Sequence, residues 1–281
     1  MKDIQRILEL NQALYNRYNT PMPILDEFIF GFKWAMAIDS NRNISFALRI
    51  GKERPVKEYE TVIQSIIGKP LDKCIEELLI MNDETMRTVL VALSNLMSKP
   101  FNKPDLLKER GISRSEGLNF KYEVEGKKVG LIGYGVYIKF FLNKCKEFHA
   151  FDLLPEKGIL SYRISKNNME VYPKSVYFHL GDDALNHKDV LKELDIIIMS
   201  GSTLVNNSYL DILKACPKAK IRGIYGPSNE LSPEYLFDVG YNYIFSMTLK
   251  DSKEYLDCAL SAIPDFKTFE MMNLYELKKV E

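Results

Sequence analysis

The feature that most constrains the fold is an alternation of short apolar segments and helix-like segments that begins at Lys127. The apolar segments include VGLIGYG at 129–135, DIIIMS at 195–200 and AKIRGIYGP at 219–227. Strands separated by helices are joined by right-handed crossovers, which makes neighbouring strands parallel. The pattern therefore predicts a Rossmann-like, mainly parallel sheet in the second half of the chain.

The first half has a different pattern, which predicts a small α+β unit. Residues 4–18 carry apolar side chains at helical spacing. Residues 28–38 and 44–50 are apolar runs joined by the turn-forming residues 39–43, as in a β-hairpin. Further helices are predicted at 59–67, 71–81 and 84–97.

Chain length and the composition of the middle segment indicate two domains. The 281 residues are about twice the most common domain size. Residues 100–117 are polar and contain two prolines and two glycines, as a connector would. We therefore expect an α+β domain at 1–99, a connector at 100–125 and a Rossmann-like ligand-binding domain at 126–281.

Charge and hydropathy argue against several classes of partner. The 38 basic residues are balanced by 38 acidic ones, so the chain lacks the positive excess that binds nucleic acid or anionic lipid. No secretory signal and no apolar span of membrane length is present, which predicts a cytoplasmic protein. The four cysteines lie singly rather than in zinc-site or disulfide spacing, so we expect ordinary core residues.

The first candidate site is a glycine turn after the strand at 129–132. Gly133, Tyr134 and Gly135 precede a predicted helix, and Asp152 follows Gly133 by 19 residues. Such a turn brings backbone N–H groups close to a phosphate, and the acidic residue bonds a ribose hydroxyl. Ile138 stands where the dinucleotide-binding pattern has its third glycine or alanine, which argues against classical NAD binding.

Two further strand-end loops are rich in small polar residues. Because parallel strands end at the same edge of a sheet, we expect these loops to converge with the glycine turn on one polar ligand. Some of their hydroxyl groups could instead cap helices. The candidate residues are Ser200, Gly201, Ser202, Thr203, Asn206, Gly226, Pro227 and Ser228.

The sequence spacing does not predict a preformed transition-metal site. His149, His179 and His187 form no close pair with one another or with a cysteine, and no HxxxH or CxxC motif occurs. Asp152 and Glu230 are the candidate metal ligands, with Asp251 and Glu53 as further oxygen donors that would depend on the fold. A serine nucleophile is disfavoured because no histidine is near 200–203 in the sequence.

Three stretches carry a resemblance to a known family: VGLIGYG at 129–135, DIIIMSGSTLVNNSYLDIL at 195–213 and IYGPSNELSPEYLFDVG at 224–240. Weaker matches are FKWAMAIDS at 32–40, GKE at 51–53 and DETMRTVLVALSNLMS at 83–98. In them the chain resembles the heavy-metal chelation family, a domain family of unknown function. The resemblance implies an enolase-N-terminal-like part, a Rossmann-like part and a binding cleft between them.

Three hypotheses about function follow. The first is a protein of metal homeostasis that binds a metal ion or a small metal-chelating molecule. The second is an enzyme that uses a ribose-containing cofactor such as NAD or S-adenosylmethionine at Gly133–Gly135. The third is a non-catalytic assembly partner that acts through helices of the first part. The sequence assigns no reaction and identifies no cofactor, and it leaves open whether the chain forms a homo-oligomer.

Overall fold

A computed structural model describes residues 1–31, 33–50, 53–155, 159–261 and 270–280. Residues 32, 51 and 52, which belong to the weaker family matches, lie outside the described residues. Contacts divide the chain into two compact units. The first unit combines Met1–Leu118, Gly201–Asn207 and Tyr225–Glu281, and the second combines Asn119–Ser200 and Ser208–Ile224.

The first half of the chain contains helices α1 to α5 and strands β1 to β4. They are α1 (Lys2–Arg17), β1 (Leu25–Phe30), β2 (Trp34–Asp39), β3 (Ile44–Leu48), α2 (Val56–Ile66), α3 (Leu71–Met81), α4 (Arg87–Ser98), α5 (Pro104–Glu109) and β4 (Ile112–Glu116). Short 3-10 helices at Glu84–Met86 and Lys99–Phe101 flank α4.

The second half contains α6 to α11 and β5 to β13. They are β5 (Lys128–Ile132), α6 (Ile138–Phe141), β6 (Glu147–Asp152), β7 (Ser161–Ser165), β8 (Asn168–Tyr172), β9 (Tyr177–Leu180), α7 (Lys188–Leu191), β10 (Ile196–Ser200), α8 (Ser202–Val205), α9 (Tyr209–Ala215), β11 (Ile221–Tyr225), α10 (Pro233–Asp238), β12 (Tyr243–Leu249), α11 (Ser252–Leu260) and β13 (Met272–Lys279). None of the described helices is long and apolar enough to cross a membrane.

The core of the first unit forms around α4, in which every residue is buried. The antiparallel sheet β1–β2–β3 packs on α4, and α1 and α3 also contact it. A helix surrounded in this way must be apolar or have its polar groups bonded. Nδ2 of Asn95 fits this requirement, because it donates to the carbonyl oxygens of Phe46 and Ser228 at 2.8 and 3.1 Å, whereas Oδ1 of Asn95 has no partner among the described residues. The same unit holds the antiparallel strands β4, β13 and β12, in that order.

The second unit is built on parallel strands, as the sequence predicts. The strand order is β11–β10–β5–β6–β9, with parallel pairing between β10 and β5, β5 and β6, and β6 and β9. Gly130 of β5 is needed for close packing, because a Cβ there would lie 2.4 Å from Cδ1 of Leu194. The fold class, a mixed α/β chain with a small α+β part first, is confirmed.

Several elements differ from the sequence prediction. The run at 28–38 is two antiparallel strands, β1 and β2, rather than one. The helix predicted after the glycine turn is reduced to the four residues of α6. Residues 100–117 contain α5 and β4, and β4 pairs with β13. The hairpin β7–β8 was not predicted, and its residues Tyr162, Ile164, Met169 and Val171 are exposed.

Candidate functional site

Asp152 fixes the backbone of the glycine turn. Gly133 has a φ of +81°, and its N–H donates to the carbonyl oxygen of Phe151 at 2.8 Å. The N–H of Tyr134 donates to Oδ2 of Asp152 at 2.8 Å, and the N–H of Leu154 donates to Oδ1 at 2.9 Å. The structure therefore brings Asp152 to the turn, as the spacing predicts, and each of its oxygens accepts one backbone hydrogen bond.

The segment after this turn differs from a dinucleotide-binding helix. The N–H of Ile138 donates to the carbonyl oxygen of Gly135 at 3.1 Å, and α6 ends three residues later. One turn of helix carries only a small dipole, so it offers a phosphate little of the usual attraction. The ring of Tyr134 packs edge-on against Phe178 at 5.2 Å, and burial raises the pKa of Tyr134.

The loops at 201–206 and 226–230 come together within the first unit. The N–H of Gly201 donates to the carbonyl oxygen of Tyr225 at 2.6 Å. A Cβ on Gly201 would lie 3.2 Å from Cβ of Ser228, so the loops touch where only glycine fits easily. Gly226 has φ +109° and ψ 173°, a conformation that glycine alone adopts readily.

The hydroxyl groups of these loops take part in packing. Ser228 is 2% exposed, and its Oγ accepts the N–H of Leu48 at 2.9 Å. Thr203 is buried in α8 and hydrogen-bonds the hydroxyl of Tyr241. Ser200 and Ser202 are half-buried. Pro227 is buried in the 3-10 turn after Gly226.

Asn206 lines a cavity of about 400 Å³ in the first unit, together with Arg87 and Thr88 of α4. Arg87 is 6% exposed; its Nε donates to the carbonyl oxygen of Leu204 at 2.7 Å, and its guanidinium pairs with Asp3. Burial alone would raise the pKa of Asp3, but the Arg87 guanidinium lowers it to about 2. Asp3 and Arg87 were not among the predicted site residues, because a pair separated by 84 positions leaves no local signal.

Glu230 lies in a different cavity of the first unit. Its side chain is 1% exposed, and both carboxylate oxygens accept hydrogen bonds from Nζ of Lys99, at 3.0 and 3.1 Å. Burial raises the pKa of Glu230, while Lys99, Thr248 and Arg114 act to lower it. The cavity has a volume of about 430 Å³, and no residue of 200–206 is among the described residues that line it.

The second unit brings together the histidines that the sequence leaves far apart. Nδ1 of His149 on β6 lies 3.2 Å from Nε2 of His179 on β9. The ring of His187 lies 4.3 Å from that of His179, measured between centroids. Nε2 of His149 lies 3.4 Å from Oε2 of Glu147, which Lys128 pairs with at 3.1 Å. The fold therefore brings into contact histidines that form no close pair in the sequence.

Burial explains the protonation of this histidine group. His149 is 8% exposed, and burial lowers its pKa although Glu147 acts to raise it. Burial, together with the neighbouring His187 and His149, lowers the pKa of His179 to about 4. Both imidazoles are therefore neutral near pH 7.

The signal for this group lies in strand register. His149 and Phe151 alternate on β6, and His179 pairs in register with Phe151 on the adjacent β9. Side chains at alternate positions share a face of the sheet. Residues 177–180 were not predicted as a strand, and without β9 nothing places His179 beside His149.

As the side chains stand, no group of three or more His, Cys, Asp or Glu within the described ranges is arranged to hold a metal ion. Asp152 belongs to the second unit and Glu230 to the first. Their role as metal ligands stays a prediction. The four cysteines are free, with Cys74 and Cys216 buried and Cys145 and Cys258 half-buried.

Comparisons with known proteins identify the family. A search of curated proteins finds no match. A DUF364 protein of unknown function from Desulfitobacterium hafniense DCB-2 has a similar crystal structure, with a TM-score of 0.69 and 19% identity over 98% of this chain and 99% of that one. The DUF364 protein of unknown function PH1506 from Pyrococcus horikoshii gives 0.67 and 21% over the same shares. A family model described as "Putative heavy-metal chelation" matches residues 118–264, just over half of the chain, and the chain therefore belongs to the DUF364 family.

Proposed function

We propose that the protein binds a transition-metal ion and that His149 and His179 supply two nitrogen ligands. A small chelating molecule or water fills the other coordination positions of the ion. The observation that carries this proposal is the 3.2 Å separation of Nδ1 of His149 and Nε2 of His179. Two nitrogen ligands about 2.0–2.1 Å from a tetrahedral zinc ion lie roughly 3.3 Å apart. The two atoms are thus spaced as adjacent ligands of one ion would be, and small ring rotations would turn both lone pairs towards it.

Glu147 supports the same assignment. A metal-bound histidine commonly donates its other ring N–H to a carboxylate, which fixes the tautomer and orients the ring. Oε2 of Glu147 is 3.4 Å from Nε2 of His149, and Lys128 holds that carboxylate in place. With Nε2–H directed at Glu147, Nδ1 of His149 presents its lone pair to His179 or to a metal ion.

The ligand count favours a chelate over a bare ion. The described side chains offer no complete set of three ligands, so a metal held here needs further donors. A small chelating molecule brings several donors at once and leaves one or two positions for imidazole. The family's description as heavy-metal chelation supports this class of ligand.

Co²⁺ titration of protein passed over a chelating resin tests the proposal. Visible absorption bands report on the number and type of ligands, and titration is repeated with Co²⁺ and one equivalent of a small chelator. We expect His179→Phe, which preserves the ring stack on Phe151 at 4.5 Å, to weaken binding at least tenfold. Glu147→Gln should weaken it by a smaller factor, since Glu147 acts through His149.

Two matched variants separate the alternatives. Asp152→Asn and Glu230→Gln remove the carboxylates predicted from the sequence and should leave Co²⁺ affinity unchanged. If they abolish binding and His179→Phe does not, the histidine assignment is wrong and the carboxylates are the ligands. If no variant changes the spectrum, the contact between His149 and His179 serves packing alone.

A ribose-containing cofactor is the second candidate, because Asp152 does reach the glycine turn, at 2.8 Å from the nitrogen of Tyr134. Asp152→Ala should then abolish nucleotide binding measured by calorimetry while Co²⁺ binding continues. Unchanged nucleotide affinity would remove the ribose role.

A further inference from the structure

We infer that the cavity around Glu230 and Lys99 binds a small organic anion that has a hydroxyl or amino group beside its carboxylate. The cavity belongs to the first unit and measures about 430 Å³, a size typical of sites for small molecules. It is separate from the histidine group, so this inference does not depend on the proposed metal function.

The charge of the lining indicates an anion. Three cationic side chains, Lys99, Lys103 and Arg114, line the cavity, against the single carboxylate of Glu230. The pair of Lys99 and Glu230 cancels within the wall, since the ammonium contacts both oxygens. Arg114 and Lys103 therefore give the lining two positive charges that an anion would balance, and Glu116, which pairs with Arg114, lies outside the lining.

Arg114 is held rigidly enough to act as an anion contact. Its Nη1 donates to the carbonyl oxygen of Asn102 at 2.8 Å, and its Nε donates to Glu116 at 2.9 Å. The guanidinium lies 3.9 Å above the ring of Tyr275. A preorganised guanidinium loses little side-chain entropy when it binds an anion.

The side-chain oxygen of Asn102 indicates a donor on the ligand. Asn102 is 5% exposed and lines the cavity, and its Nδ2 donates to the carbonyl oxygen of Glu230 at 2.8 Å. This bond fixes the orientation of the amide, because a flip would set two oxygens against each other. Oδ1 of Asn102 is buried without a hydrogen-bond partner among the described residues. A buried acceptor left unpaired is costly, and a hydroxyl or amino group of a ligand would satisfy it.

Calorimetry with two probes tests both features. L-malate and succinate differ by one hydroxyl group, so the ratio of their affinities measures the contribution of a donor. We expect malate to bind and succinate to bind at least fivefold more weakly. Glycerol, which has hydroxyl groups but no charge, should not bind. Metal-free protein is prepared on a chelating resin, because soluble chelators are themselves polycarboxylates.

Variants assign the binding to this cavity. Lys103→Glu reverses an exposed charge of the lining, and we expect it to weaken malate binding at least tenfold. Lys108→Glu, in the last turn of α5 and outside the lining, is the matched control and should bind as the unmodified protein does. Asn102→Leu should remove the preference for malate over succinate. If this variant does not fold, the comparison of Lys103→Glu with Lys108→Glu still shows whether malate binds in this cavity.

The inference is overturned if no malate binding is detected at a malate concentration of about 10 mM, which is well above the dissociation constant expected of a specific site. It is also overturned if Lys103→Glu and Lys108→Glu weaken malate binding equally, or if succinate binds as well as malate. The His179→Phe variant should bind malate as the unmodified protein does. Loss of metal binding and loss of malate binding can therefore be told apart.

Discussion

Asp3 forms a buried ion pair with Arg87 in which the two side chains are 8% and 7% exposed. The pKa of Asp3 is lowered from 3.8 to about 2 because the attraction of Arg87 outweighs the effect of burial. A carboxyl group with a lowered folded-state pKa stabilises the fold above its unfolded pKa. That stability is lost as pH falls from about 4 through about 2.

We predict that Asp3→Asn lowers the free energy of unfolding by about 3 kcal/mol at pH 7, because it leaves Arg87 buried with a neutral partner. The difference from the unmodified protein should shrink as pH falls below 4. Urea unfolding at several pH values measures both effects. Asp238→Asn, which breaks the half-exposed pair with Arg6, is the control and should cost less than about 1 kcal/mol. Equal losses for the two variants would contradict the prediction.

At the residue scale, local patterns identified side chains but not their partners. Asp152 was found because its spacing from Gly133 has a known structural meaning, and the structure places it at the turn. Glu230 was found as a carboxylate, yet its partner Lys99 is 131 residues away. His149 and His179 are 30 residues apart, and only strand register joins them. Contacts of this kind follow from topology, which the sequence pattern gives only coarsely.

At the scale of elements, α11 shows how one side chain defines a helix start. Oδ1 of Asp251 accepts the N–H groups of Lys253 and Glu254, at 2.8 and 3.1 Å. These are donors that the first turn of a helix otherwise leaves without partners. Asp251 was considered as an oxygen ligand for a metal from the sequence, and the structure gives it a capping role.

We predict that Asp251→Ala lowers the free energy of unfolding by about 1 kcal/mol, and that Asp251→Ser, which can still cap, costs only a few tenths. Chemical denaturation of the two variants measures the difference, and helical circular dichroism reports on α11. Similar losses in both would mean that the cap does not stabilise α11.

Elements with strong periodicity were predicted well, and elements fixed by packing were not. α1, α3 and α4 follow their apolar spacing, whereas α6 ends after four residues although the aromatic run at 137–141 resembles a longer helix. The aromatic side chains of this run pack on a residue outside the helix, because Phe120 contacts the rings of Tyr137, Phe140 and Phe141. The hairpin β7–β8 was missed although its residues alternate between polar and apolar, and its alternate apolar side chains are exposed rather than buried on a core.

At the scale of the whole molecule, the sequence predicts the order of the two kinds of structure but not which residues belong to each compact unit. Residues 201–207 and 225–281 continue the apparently Rossmann-like half of the chain, yet their contacts belong to the first unit. β13 pairs in an antiparallel direction with both β12 and β4, strands that are far apart in sequence. No periodicity predicts such a pairing, and the predicted domain limits stay a prediction.

The cysteines allow the two units to be followed separately. Cys74 lies in the first unit and Cys216 in the second, both fully buried. Burial raises the pKa of each thiol to about 12. Only a thiolate reacts rapidly, so we predict that neither residue is alkylated in the folded protein at pH 8.

Pulsed alkylation along a urea gradient, with the modified peptides assigned by mass spectrometry, measures this protection. Cys145 and Cys258, which are half-buried, should be labelled first. Cys74 and Cys216 should then report on the unfolding of the first and second units. Rapid labelling of Cys74 without denaturant would contradict the buried position of its thiol.

The interleaving of the two units along the sequence sets the order in which they can fold during synthesis. The second unit is complete in sequence once Ile224 has left the ribosome, whereas the first still lacks Tyr225–Glu281. Domains fold as units during translation once their residues are available. The part of the protein that is made first is therefore the last that can close. α1 contacts α10, and α4 contacts the 3-10 turn at Pro227–Asn229, and both of these segments emerge after Ile224.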